Sequence, residues 1–186
     1  MTRFQQLAAL SAATVAAAMI AVPGTALAAA DRPSCPIPAD AKSRTDEPAE
    51  GYKALKGVRL HYLPKGFTHG ELVVDEHDGL TEYGYLWSDD RDDMDRKRKM
   101  LWVRVVCWPE ARTLAQLKKA PLQLGTFGHA KLAKIGGRKV LTKEGDGALG
   151  PGRYAGWLQR EGVIVTVMAS EPLVPQLGQI IRWIKL

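Results

Sequence analysis

The chain has 186 residues, of which 46% are hydrophobic and 25% charged, with 26 Lys and Arg against 20 Asp and Glu. This length suits one domain, and the apolar fraction is sufficient for a packed core, so a chain disordered throughout is excluded. Its two cysteines, Cys35 and Cys107, are too few for a disulfide-scaffolded miniprotein or a cysteine-based zinc module.

Residues 1–28 have the pattern of a secretory signal peptide. Arg3 is the only charged residue among the first thirty, and an apolar run from Leu7 to Val22 ends at Pro23-Gly24. Small residues follow, as a signal peptidase requires, so we expect cleavage after Ala28 or after Ala30.

An uncleaved membrane anchor and a lipoprotein are the alternatives. The apolar run has 16 residues, whereas a helix needs roughly 20 to cross a bilayer. Cys35 follows Arg32-Pro33-Ser34 rather than the small apolar residues that lipid attachment needs. We therefore expect a secreted protein with no transmembrane anchor after cleavage.

Export would place both cysteines in an oxidising compartment, where two thiols in one domain usually pair. Cys35 lies in the Pro-rich stretch 33–38, which cannot form a helix or an inner strand. We predict a Cys35–Cys107 disulfide that attaches a flexible, Pro-rich N-terminal arm, residues 29–51, to a sheet. A reactive thiol pair is the alternative, but there is no Cys-x-x-Cys spacing or neighbouring histidine to lower a thiol pKa.

Residues 52–186 are predicted to form a single domain. Alternating patterns bounded by turn residues predict five to seven strands. The segments are Val58–Leu63, Glu71–Glu76, Glu82–Trp87, Met100–Trp108, Arg138–Lys143, Tyr154–Arg160 and Val163–Ala169.

The segment Met100–Trp108 is the richest in strand-forming residues. Its period of two places Leu101, Val103, Val105 and Cys107 on one face, and Trp102, Arg104 and Trp108 on the other. If the first face is the core, Arg104 is expected at the surface.

Two helices are predicted. Pro109–Lys119 has Pro first, Glu early and Lys late, which complements the helix dipole; its inward residues would be Ala111, Leu114, Ala115 and Leu117. Pro172–Leu186 has apolar residues at helical spacing, with Ser170 as a cap; they are Leu173, Leu177, Ile180, Ile181 and Ile184. The predicted fold is α+β: a single curved, mostly antiparallel sheet of five to seven strands, packed against a short helix and a C-terminal amphipathic helix.

No catalytic, metal or cofactor site is predicted. The acidic cluster Asp89–Asp95 lacks the central glycine of a calcium loop and is neutralised by nearby Arg and Lys, which favours a solvated loop over a cation site. The histidines, His61, His69, His77 and His129, show no metal-ligand spacing. His61 and His69 could converge across the first turn with carboxylates such as Asp75 or Glu76, but surface or rim positions are favoured.

The remaining catalytic motifs are also missing. None of the serines lies in a Gly-x-Ser-x-Gly elbow. The glycine-rich loop 145–152 leads into a strand, not into the helix of a phosphate-binding loop. A carboxylate pair for hydrolysis remains an alternative, because any two acidic residues can meet in a fold.

The positive charge is expected to be spread along the chain rather than arranged in a stripe. With no single-strand-binding motif, we do not expect a nucleic-acid partner. In an exported protein this charge favours contact with anionic wall polymers or membrane surfaces; the alternative is that the basic residues only keep the protein soluble. The candidate contacts for an apolar ligand are Tyr85, Trp102, Trp108 and Trp157.

Leu60–Phe67, a strand ending in Leu-Pro-x-Gly-Phe, resembles the opening of extracytoplasmic domains of Gram-positive anti-sigma-factor-like proteins and lipoproteins. Trp157–Ser170 followed by Leu173–Leu186 is similar to the C-terminal part of those domains. The pattern is also distantly similar to the lipoprotein-carrier half-barrel, and the whole chain resembles small secreted actinobacterial proteins.

This resemblance implies a non-catalytic sensing, carrier or adaptor domain, and no catalytic residues are transferred by it. We expect the chain to depart from the anti-sigma pattern, with no spanning helix and no cytoplasmic half. We therefore expect a secreted, non-catalytic domain that binds an envelope component or an apolar ligand. The alternatives are a small secreted hydrolase that uses carboxylate and histidine chemistry, and an envelope structural or stress protein with no ligand.

Overall fold

The structure is a computed structural model that describes residues 35–89, 97–145 and 150–186. The signal peptide predicted for residues 1–28 lies outside these ranges and stays a prediction, together with secretion. Most of the acidic cluster 89–95 and residues 146–149 of the glycine-rich loop also lie outside the described residues.

The described residues form ten strands, two 3₁₀ helices and one α-helix. The strands are β1 Arg44–Asp46, β2 Arg59–Leu60, β3 His69–His77, β4 Leu80–Ser88, β5 Met100–Cys107, β6 Lys131–Ile135, β7 Arg138–Glu144, β8 Gly152–Arg160, β9 Val163–Ser170 and β10 Ile184–Lys185. The 3₁₀ helices span Leu114–Lys119 and Glu171–Gln176, and helix α1 spans Leu177–Arg182. None of the described helices is long and apolar enough to cross a bilayer.

Eight of the strands form one sheet in the order β1-β3-β4-β5-β9-β8-β7-β6. Every neighbouring pair is antiparallel. The predicted antiparallel sheet is thus confirmed within a loosely α+β fold, but it has eight strands rather than five to seven. Strands β2 and β10 pair separately, and β2 is only two residues of the strand predicted over 58–63.

Strands β1 and β6 were missed by the sequence prediction. β1 is a three-residue edge strand inside the segment predicted to be an arm. β6 forms a hairpin with β7 across Gly136-Gly137, but its alternation is weak because Leu132 faces solvent. Edge strands are paired on one side alone, so apolar patterning specifies them poorly.

Both faces of the sheet are covered by other parts of the chain. We call face A the side that holds Tyr85, Val103 and Trp157, and face B the side that holds Trp102, Arg104 and Met168. Residues 35–67 (cover A) and helix α1 pack on face A, and residues 108–130 (cover B) pack on face B. Every residue of β5 and β9 is consequently buried.

The expectation that Arg104 lies at the surface is wrong. Arg104 is 2% exposed, because cover B lies over the side of β5 that was expected to face solvent. A strand buried on both faces has no solvent-facing side, so the period of two does not identify one.

The helix predicted over 109–119 is reduced to the 3₁₀ helix Leu114–Lys119. The side-chain oxygen of Gln116 accepts hydrogen bonds from the backbone N–H groups of Arg112 and Thr113, at 2.7 and 2.8 Å. These bonds hold the preceding residues in a turn. Ala111 and Leu117 are buried as predicted, but Leu114 is half-buried and Ala115 is exposed.

The single C-terminal helix predicted over 172–186 is divided into a 3₁₀ helix, α1 and β10. Pro175 has no N–H for an α-helical hydrogen bond, and Ile184 pairs with Leu60 in a strand. The five apolar residues predicted to face inward are all buried: Leu173, Leu177, Ile180, Ile181 and Ile184. Ser170 does not cap through its side chain; its hydroxyl accepts a hydrogen bond from the N–H of Met100 at 2.8 Å.

The predicted disulfide between Cys35 and Cys107 is present, with the two Cα atoms 5.8 Å apart. Cys107 belongs to the core of face A, and Cys35 is the first residue of cover A. The bond joins the start of this cover to a central strand of the sheet.

Reduction of the disulfide is expected to lower the free energy of unfolding by up to about 4 kcal/mol, because it releases a loop-closure constraint across a separation of 72 residues. Urea unfolding with and without reductant measures the loss. The Cys35→Ala/Cys107→Ala variant is the control and should not respond to reductant. Alkylation of two thiols in urea without reductant, detected by intact mass, would contradict the pairing.

Candidate functional site

The four aromatic residues considered as ligand contacts lie on opposite faces of the sheet. Tyr85 and Trp157 belong to the core of face A, and Trp102 and Trp108 belong to the core of face B. All four are more than nine-tenths buried. The structure does not bring them together, and of the four, Trp102 lines the cavity described below.

Tyr85 holds cover A in place. Its hydroxyl donates a hydrogen bond to Oδ2 of Asp46 at 2.8 Å and accepts one from the N–H of Glu50 at 2.9 Å. The ring lies over Gly70, where a β-carbon would come within 1.9 Å of the hydroxyl oxygen. Nε1 of Trp87 donates to the carbonyl oxygen of Glu50 at 2.7 Å. These contacts satisfy the backbone of an irregular segment, which is a structural role.

Trp157 also has structural partners. Its Nε1 donates to Oε1 of Gln159 at 3.0 Å, and the guanidinium carbon of Arg138 lies 5.1 Å from its ring centroid. Arg138 in turn donates to the carbonyl oxygen of Ile184 at 2.6 Å. Trp157 is thereby connected to the C-terminal segment.

A cavity of about 270 Å³ lies on face B, between the sheet and cover B. Its surface is mainly apolar, and its volume is at the small end of the range for ligand pockets. Its wall includes Val73, Asp75, Glu82, Gly84, Trp102, Arg104 and Leu124.

Gly84 lets two long side chains lie across strand β4 beside this cavity. A β-carbon at this position would lie 2.6 Å from Cγ of Arg104 and 2.9 Å from Nε1 of Trp102. The guanidinium carbon of Arg104 stacks 4.1 Å from the Trp102 ring centroid. Nε1 of Trp102 is buried and has no acceptor among the described residues, and an unsatisfied buried donor costs about 1–3 kcal/mol.

Arg104 and Glu82 form a buried ion pair at the cavity wall. Nη1 of Arg104 lies 2.6 Å from Oε2 of Glu82 and also donates to the carbonyl oxygen of Leu124 at 3.0 Å. Nε donates to the hydroxyl of Thr166 at 3.0 Å. Burial lowers the pKa of the Arg104 guanidinium, and the charge of Glu82 opposes that shift. The pair therefore neutralises itself inside the protein.

His77 extends this polar cluster. Its Nδ1 lies 3.1 Å from Oδ2 of Asp75, and its Nε2 lies 3.1 Å from the carbonyl oxygen of Pro121 and 3.5 Å from Oε1 of Glu82. Nε2 is hydrogen-bonded to the Pro121 carbonyl, whereas Nδ1 lies near Asp75 without making a hydrogen bond. The cluster connects strands β3 and β4 to the backbone of cover B.

This cluster was not predicted, although the sequence contains a signal for it. Asp75 pairs with Glu82 across the hairpin whose turn is Asp78-Gly79, and a period of two puts His77 on the same face as Asp75. Folding the hairpin about its turn would have brought the three side chains together.

The other candidates remain separate. His69 contacts Glu47 at 3.1 Å, with the Glu47 side chain largely exposed. His61 lies beside the ring of Trp183, at a centroid distance of 6.0 Å, and His129 is exposed. The part of the chain that the structure describes has no group of three or more His, Cys, Asp or Glu residues placed to hold a metal ion.

Comparisons with protein-family models, with curated proteins and with solved structures find no match to this chain.

Tyr85 and Tyr83 are expected to make the protein less stable in alkali. Burial raises the pKa of both phenols above the usual value of 10, so the unfolded chain loses these protons first. The contribution of these two groups to the free energy of unfolding should be fully present below about pH 10. It should fall as pH rises further, by up to about 1.4 kcal/mol per pH unit for each group. Urea unfolding from pH 9 to 11.5 measures the slope.

In this experiment the free energy of unfolding of Tyr85→Phe should fall less steeply with pH than that of the wild type. Tyr52→Phe is the control, because Tyr52 is 53% exposed. Equal slopes for the wild type and Tyr85→Phe would contradict the assignment.

Arg104→Met is expected to destabilise the protein by about 3–5 kcal/mol, because it leaves the Glu82 carboxylate buried without its partner. The double variant Arg104→Met/Glu82→Leu should lose less free energy of unfolding than this single variant. Arg44→Met is the control, because Arg44 pairs with Asp46 and Glu50 while its side chain is 40% exposed. This substitution should lower the free energy of unfolding by less than about 1 kcal/mol. Equal losses for Arg104→Met and Arg44→Met would refute the assignment, with urea unfolding as the measurement.

Proposed function

We propose that this chain is an exported, non-catalytic domain of the cell envelope that binds a small, uncharged, mainly apolar molecule in the cavity of face B. One observation carries the proposal: Trp102, whose buried N–H has no acceptor among the described residues, is part of the wall of this mainly apolar cavity. A ligand oxygen would satisfy this donor. The disulfide supports export, because such bonds persist in oxidising compartments.

The charges at the cavity wall favour an uncharged ligand. Arg104 is already neutralised by Glu82 at 2.6 Å, and Asp75 adds a second carboxylate to the wall. A ligand anion would meet these carboxylates without an available cation to compensate. A ketone, ester or alcohol oxygen on an apolar body fits the wall better.

The hydrolase alternative has one supporting observation, since Asp75 and Glu82 both line the cavity and both contact His77. A general base needs a ring nitrogen that can take a proton from the substrate or water. Here Nε2 of His77 is hydrogen-bonded to the carbonyl oxygen of Pro121, and Glu82 is bound to Arg104. Nδ1 makes no hydrogen bond, although it lies 3.1 Å from Oδ2 of Asp75. The geometry therefore favours a cluster that positions cover B.

Acetophenone and toluene are the probes for the ligand test, because both have an aromatic body and acetophenone alone has an acceptor oxygen. In a ligand-observed NMR titration, the wild type should bind acetophenone about five-fold more tightly than toluene, as one hydrogen bond contributes about 1 kcal/mol. Benzoate should bind more weakly than acetophenone.

Trp102→Phe keeps an aromatic ring but removes the N–H, so it should lose the preference for acetophenone. Trp108→Phe is the matched control, a buried tryptophan in the same core, and should keep the preference. Absence of saturable binding by either probe, or the same preference in both variants, would overturn the proposal. Turnover of phenyl acetate that Asp75→Asn abolishes would replace it with the hydrolase alternative.

A further inference from the structure

The positive charge of the chain is concentrated in one segment, contrary to the expectation that it is spread. Between Ala111 and Lys143 there are eight Lys and Arg residues and no Asp or Glu. The remainder of the chain has 18 basic and 20 acidic residues, so the whole positive excess comes from this segment. Its basic residues are Arg112, Lys118, Lys119, Lys131, Lys134, Arg138, Lys139 and Lys143.

The fold places several of these side chains on one surface. Strand register puts Leu132 and Lys134 of β6 on the same side as the buried Leu141, which is face B. Lys118 and Lys139 line a groove of about 400 Å³ together with Leu132. We call this surface the basic face; it comprises Leu114, Lys118, Leu132, Lys134 and Lys139.

The basic face combines charge with exposed apolar area. Leu132 is 58% exposed, and Leu114 and Leu141 line the same groove. Lys118, Lys134 and Lys139 form no ion pair with any other residue that the structure describes. At the end of β7, Glu144 pairs with Arg153 at 3.7 Å, so this neighbouring carboxylate is already compensated.

We propose that the basic face binds an anionic lipid surface. The lysines would contact the head groups, and Leu132 would enter the boundary between the head groups and the acyl chains. Interfacial binding of this kind adds electrostatic attraction to the burial of apolar side chains. A soluble polyanion would use the lysines but gains nothing from an exposed leucine beside an apolar groove. The proposal is independent of ligand binding in the cavity of face B.

Co-sedimentation with vesicles tests the charge requirement. The full chain is mixed with vesicles of phosphatidylcholine, with or without phosphatidylglycerol, and should bind the anionic vesicles, less strongly as salt is added. Lys118→Gln/Lys139→Gln should lower the partition coefficient about 25-fold, at about five-fold for each lysine near the surface.

The matched control is Lys65→Gln/Lys185→Gln, which removes the same charge from exposed lysines outside the basic face and should keep most of the binding. All variants have the same first 34 residues, so any contribution of that segment is common to them. Equal losses in the two double variants would overturn the proposal, because binding would then depend on net charge alone.

Leu132→Ser separates a lipid surface from a soluble polyanion. It should weaken binding to the anionic vesicles and leave binding to linear polyphosphate unchanged. Unchanged vesicle binding in this variant would overturn the proposal and assign the basic face to a soluble polyanion. Because Leu132 is exposed, the substitution should not unfold the protein, and a thermal melt checks this.

Discussion

The central pair of strands, β5 and β9, is buried along its whole length, and the rest of the structure depends on covering both of its faces. Neither cover is built mainly from regular secondary structure. Irregular segments leave backbone N–H and C=O groups without ladder partners, and buried groups of this kind must be satisfied. Side chains that project from the sheet meet this need. On face A they are the tips of Tyr85 and Trp87, which bind the backbone of Glu50.

On face B the same task is done by charged residues. Arg104 donates to the carbonyl oxygen of Leu124, and His77 contacts that of Pro121. A buried ion pair is weak evidence for stability, because desolvation offsets much of its attraction. Its structural use here is to hold cover B in register over the sheet. The cavity lies beside this attachment, where the side chains of Arg104 and Trp102 lie over Gly84.

Much of the fold follows from local sequence patterns, and each error has a physical cause. Alternation located most strands of the sheet, and helical spacing identified the five buried residues of the C-terminal segment. Arg104 was misplaced because the period of two cannot reveal a second cover contributed by a distant segment. β1 and β6 were missed because an edge strand of three to five residues carries little pattern. Residues such as His77, whose partners come from another strand and a loop, acquire a role through tertiary structure.

The two covers differ in the free energy needed to separate them from the sheet. Cover A is attached by the Cys35–Cys107 bond and by apolar residues such as Leu55 and Val58 in the core of face A, so lifting it breaks a covalent bond or exposes apolar surface. Lifting residues 121–124 of cover B breaks hydrogen bonds and exposes the buried Leu122, but it also returns Arg104, Glu82 and His77 to water, and the hydration of these groups offsets part of the loss. Cover B is therefore attached beside the cavity by polar contacts whose release is partly offset by hydration, in the segment that continues into the basic face.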